Sequence, residues 1–155
     1  MSYLREIVIN APLVNVWSLW TNQADIKEWL APRANIMFEE GGSYEFFWDE
    51  DPESDSTLGC KLLTIEPGKL LTFQWQGKTE FLPMFRPPHA PTEVEVRFSV
   101  GADGVTHVTV EQTETRDLPD WQAYDEWMGE AWAYALTQLK ATCEARQTTQ
   151  DSSCC

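Results

Sequence analysis

The sequence predicts an α+β fold: one curved antiparallel sheet of about six or seven strands against a long C-terminal helix, with two short helices after the first strand. Three observations predict it. In residues 119–146, PDWQAYDEWMGEAWAYALTQLKATCEAR, a turn of about 100° per residue gathers Trp121, Met128, Trp132, Ala135, Leu139 and Cys143 into a narrow arc, with Tyr124, Ala131 and Leu136 at its edges. Most of the chain before this stretch alternates with period two in short runs bounded by turn residues. Those runs are consecutive and mostly joined by short turns, which favours antiparallel pairing with the helices segregated to one face. A stripe carrying two tryptophans must be kept from water, so the helix is expected to lie across the sheet.

Tyr3 to Asn10 is a β-branched alternating run that stops at Ala11-Pro12, a first or edge strand. Pro12 opens a helix in which Leu13, Val16, Trp17 and Trp20 recur at helical spacing, and Asn22 starts a second short turn with Ile26, Trp29 and Leu30 before Pro32. Asn35–Glu39 and Ser43–Asp49 flank Glu40-Gly41-Gly42, the composition of a tight hairpin, with Tyr44, Phe46 and Trp48 on one strand face. Residues 49–56, DEDPESDS, resemble a calcium loop in their alternating acids. Ser54 stands where that loop needs glycine and Cys60 where it needs glutamate, so a solvated loop is the reading.

Leu58–Glu66 and Leu70–Gln76 follow as strands across Pro67-Gly68, with Leu71, Phe73 and Trp75 sharing a face. The proline-rich connection at 77–91 carries Phe81, Leu82, Met84 and Phe85, too apolar for an ordinary wet loop, and reads as a lid. Thr92–Val100 points Val94, Val96, Phe98 and Val100 inward. After Ala102-Asp103-Gly104 the strand Val105–Thr115 sets Val108 and Val110 opposite His107, Thr109 and Glu111, then leads into the long helix. Asp117, Pro119 and Asp120 suit that helix's N-terminus, while Lys140 and Arg146 lie towards its other end.

The 155 residues suit a single domain over 1–146, with 147–155 as a disordered tail. Lys and Arg total 11 against 25 Asp and Glu, and a net charge of -14 argues against nucleic acid or an anionic membrane surface as partner. No apolar run has signal-peptide or membrane-spanning length, so a cytoplasmic location is expected. Cys60 and Cys143 read as core residues. The terminal Cys154-Cys155 pair leaves prenylation open beside the plainer reading of a tail. Two histidines without a C-x-x-C pair give a metal site almost nothing to use, and no cofactor motif occurs.

The runs INAPLVNVWSLWTNQADIKEWLAP, GGSYEFFW, GCKLLTIEPGKLLTFQW and WAYALTQLK resemble the activator of heat-shock protein 90 ATPase homologue family, of the START-like or SRPBCC superfamily. The resemblance extends from about Glu6 to Lys140 and implies a helix-grip fold with a cavity between sheet and helix that commonly takes an apolar ligand. Its shared positions, among them Ala11-Pro12, Val16-Trp17, Trp29, Gly41-Gly42, Pro67, Trp75 and Trp132, are architectural. Many relatives have histidine four residues before the helix tryptophan and glycine one before it, where this chain has Met128 and Ala131.

On this reading Trp17, Phe46, Trp48, Phe73, Trp75, Tyr124, Met128 and Trp132 line the cavity, with Met84, Phe85 and His89 as lid. Asp125, about 40° from the centre of the apolar arc, is the one catalytic candidate, a general acid if its pKa is raised or otherwise a solvated acid near the helix start. Trp127 and Tyr134 lie off the stripe, at about 240° and 220° from Trp121, and need another cover, either the connection or a second subunit in a homodimer. A small apolar-ligand-binding protein is the first expectation. Stimulation of a chaperone ATPase and a cyclase- or hydrolase-like enzyme are the alternatives that the resemblance implies.

Overall fold

The computed structural model of the protein describes residues 3–153 except 77, 86 and 113, with side chains described through 146 at the C-terminal end. In chain order the elements are β1 (Leu4–Ile9), α1 (Leu13–Thr21), α2 (Gln23–Ile26), β2 (Arg33–Ile36), β3 (Tyr44–Phe47), β4 (Leu62–Glu66), β5 (Leu70–Trp75), β6 (Thr92–Val100), β7 (Thr106–Glu111) and α3 (Trp121–Ser153). Five strands form one antiparallel sheet in the order β1-β7-β6-β5-β4, and β2 pairs with β3 in a ribbon. The ribbon continues the sheet along β4, because Ser43 bridges Lys61, Gly41 N donates to Leu62 O at 2.8 Å and Tyr44 N to Cys60 O at 3.0 Å. Seven strands therefore curve around α3, as the sequence predicts.

Several boundaries differ from those read in the sequence. β2 ends at Ile36 and β3 begins at Tyr44, so the Glu40-Gly41-Gly42 turn is a longer arch. Close backbone approach sets its glycine requirement: a Cβ on Gly42 would lie 2.2 Å from Met37 O. Leu58 to Cys60 lies outside β4, and Leu58 is exposed. In α1 the fully buried face is Val16, Leu19 and Trp20, with Leu13 and Trp17 half-buried. Val100 is 60% exposed instead of inward, since it carries the alternation past Phe98, which Trp17 covers at a ring distance of 5.1 Å.

The long helix also extends beyond its expected end at Arg146, to Ser153, across a stretch with no glycine or proline to stop it. Cys154 and Cys155 lie outside the described residues. Its docking is fixed by polar contacts on β1 and the residue after it: Arg5 Nε donates to Gly129 O at 3.0 Å, Lys140 Nζ to Val8 O at 2.8 Å, and Glu144 Oε2 accepts from Asn10 N at 2.8 Å. Arg146 pairs with Asp25 and Glu28 around α2. Gly129 is where helix and strand approach closely, because a Cβ there would lie 2.7 Å from Arg5 Nη2 and 3.4 Å from Tyr3 Cβ. Gly129→Val forces these apart and is expected to cost about 1–3 kcal/mol in denaturant unfolding; an increase in stability would show that the contact is loose.

Candidate functional site

The core between sheet and helix is aromatic and mostly solid. Trp132 is 1% exposed and lies against Trp20, Trp75 and Phe73 at ring distances of 5.9, 5.0 and 6.4 Å. Packing opens beside two small residues of α3. Ala131 and Ala135, one helical turn apart, leave room that no larger side chain fills, and a cavity of about 300 Å³ forms there. Trp127, Met128, Trp132 and Tyr134 complete its helix wall, and Trp75 and Gln76 at the end of β5 form the sheet wall. Trp29 and Leu30 after α2, with Trp48 after β3, close the remaining side.

Two of the indoles are held by their ring nitrogens: Trp29 Nε1 donates to Leu19 O at 2.6 Å and Trp48 Nε1 to Leu30 O at 2.9 Å. Their surroundings therefore fix them as rigid apolar walls. The polar lining is small and mostly engaged. Gln76 Nε2 donates to Ser56 O at 3.0 Å, Asp55 Oδ1 accepts from Thr79 N at 3.0 Å, and Lys78 pairs with Glu80 at 2.6 Å while lying 5.1 Å over the Trp127 ring. Tyr134 is 69% exposed and Trp48 42% exposed, so these two mark the open rim.

Of the residues expected in the cavity, Trp48, Trp75, Met128 and Trp132 come together there, and four do not. Trp17 packs instead against Phe98 and Phe38, Phe46 and Phe73 lie deeper beside Tyr44, and Tyr124 is enclosed by Phe81, Phe85 and Trp121. Met84 and Phe85 are buried in a 3₁₀ turn over Thr79–Phe85, whereas His89 is exposed and does not line the cavity. Trp127 has its cover, Phe81 at 6.0 Å and Lys78, from the connection itself. The sequence reading missed Trp29, Leu30, Ala131 and Ala135 as lining. Two alanines at i and i+4 on an otherwise bulky stripe were the available signal.

Asp125 does not line the cavity. It is half-buried on the β1 side of α3, and its carboxyl is raised above the ordinary 3.8 by burial, with Arg5 opposing and Glu126 reinforcing the shift. A raised acid favours the native state fully below 3.8 and loses that contribution as pH rises through the folded value. Asp125→Asn is therefore expected to raise the melting temperature at pH 7 relative to the parent and to leave it unchanged below about pH 3; the reverse pattern in a pH series of melting curves would count against the burial account. Burial also pushes the thiols of Cys60 and Cys143 up to about 12 and about 11, so neither is a thiolate near neutral pH. Among the described residues no three His, Cys, Asp or Glu are grouped to hold a metal ion, and no helix is long and apolar enough to cross a membrane.

The family model described as "Activator of Hsp90 ATPase homolog 1-like protein" matches residues 10–144. No curated protein matches the sequence. Among solved structures, a protein from Mesorhizobium loti superposes with a TM-score of 0.68 at 21% identity, over 91% of this chain and 98% of that one. The Aha1 dimer from Colwellia psychrerythraea gives 0.72 at 17% identity, over 93% and 96%. CalU16 from Micromonospora echinospora gives 0.61 at 24% identity, over 96% and 80%. These likenesses concern the fold.

Proposed function

The chain belongs to the activator of Hsp90 ATPase homologue 1-like family, and from that premise we propose that it binds a small apolar molecule in the tryptophan-walled cavity. The observation that carries this reading is the convergence of Trp29, Trp48, Trp75, Trp127 and Trp132 on one space of about 300 Å³ with few polar groups. That volume lies at the small end of ligand pockets, and rigid indole walls favour a flat, compact ligand at low entropic cost. The lining holds no activated nucleophile and does not include the raised carboxyl of Asp125, which favours binding over turnover.

The test is a titration with N-phenyl-1-naphthylamine, a neutral flat probe, followed by energy transfer from the tryptophans. Saturable one-to-one binding in the micromolar range, about -8 kcal/mol, is expected. A linear, unsaturable response would remove the reading. Native mass spectrometry of protein purified from its host then weighs whatever occupies the cavity.

A further inference from the structure

Beside the cavity lies a second group of polar side-chain atoms that the ligand reading does not use. Seven buried side-chain polar atoms find no hydrogen-bond partner among the described residues, and five belong to four residues: Tyr3 Oη, Gln112 Nε2 and Oε1, Asp125 Oδ1 and Trp132 Nε1. Native proteins leave few such atoms, so their clustering calls for an explanation. The fold brings these four together. Gln112 N donates to Tyr3 O at 3.1 Å, and Gln112, just past β7, is fully buried and continues the inner face of Thr106, Val108 and Val110. Tyr3, 4% exposed, packs against Gly129 of α3, with Asp125 one turn before that glycine and Trp132 three residues after it. Burial raises the Tyr3 hydroxyl pKa, with Tyr124 and Asp125 adding to the rise and Trp132 and Arg5 opposing it.

Their chemistry narrows what would satisfy them. Trp132 and the Gln112 amide nitrogen only donate, Asp125 and the Gln112 oxygen accept, and Tyr3 does either. A carbonyl would leave the acceptors unmet and an ammonium would leave the donors unmet. We propose that Tyr3, Gln112, Asp125 and Trp132 form an interior site for a hydroxyl-type group that both donates and accepts. The group is an ordered water, which can donate twice and accept twice.

Gln112→Met, close in shape but without donor or acceptor, separates the outcomes. If the site is filled, the variant melts about 3–8 °C lower and loses one slowly exchanging water by water relaxation dispersion, because three polar partners are stranded. If nothing is bound, removing an uncompensated amide leaves the melting temperature unchanged or raises it and the water count stays the same, which overturns the site. Should that variant fail to fold, Tyr3→Phe gives the same two readings.

Discussion

Trp132→Ala lowers the unfolding free energy by about 3–5 kcal/mol and the melting temperature by on the order of 10 °C, measured by denaturant and thermal unfolding. The residue sits where three elements meet. Its ring stacks on Trp20 of α1 with an interplanar angle of 19° and touches Trp75 and Phe73 of β5. Truncation therefore removes contacts to helix and sheet together. Collapse into the gap is resisted, since Trp29 beside Trp20 and Tyr44 beside Phe73 are tethered to the backbone at Leu19 O and Trp20 O. The upper half of the range follows from that rigidity. A loss below about 1.5 kcal/mol would mean that the ring fills a space the other aromatics can share.

The fold was legible because its signals are periodic. The stripe Trp121, Met128, Trp132, Leu139 and Cys143 is buried as its spacing requires, and Val94, Val96, Val108 and Val110 alternate inward as a half-buried sheet should. Where boundaries moved, local pattern met a tertiary constraint. The arch at Gly41-Gly42 bonds to Leu62, so residues that alternate like strand serve instead to join the ribbon to β4. The helix ran past Arg146 because a charge signal near a helix end is only a preference, whereas glycine and proline are stops.

The candidate site was only half legible, for a different reason. Strand alternation correctly put Phe46, Phe73 and Trp75 on the inner face, but a face does not say which of its side chains meet another across an interface and which border a gap. That depends on where the facing helix is thin. Ala131 and Ala135 make it thin, and an alanine on an apolar stripe looks like ordinary filling until the opposite wall is known. Asp125 shows the same limit, since its helical angle placed it near the apolar arc but not on which flank, and the flank proves to be that of Arg5 and β1.

Ala131→Trp is the change with the largest expected effect on binding. Ala131 lies in the middle of the helix wall, between Met128 and Ala135, and its neighbour Trp132 already faces Trp75. An indole added there projects into the cavity of about 300 Å³ and takes much of the volume a ligand would use. Because Ala131 is half-buried on the cavity wall, the larger ring has open space to enter. The direct cost to the fold is mainly helix propensity, under about 0.7 kcal/mol. N-phenyl-1-naphthylamine should then bind about 100-fold more weakly, a loss of about 2.7 kcal/mol, while the melting temperature changes by no more than a few degrees. The two readings must separate in this way for the inference to stand. Weak binding together with a collapse in stability would report a damaged core, and full affinity in a stable variant would place the probe somewhere other than between the alanines and the tryptophans.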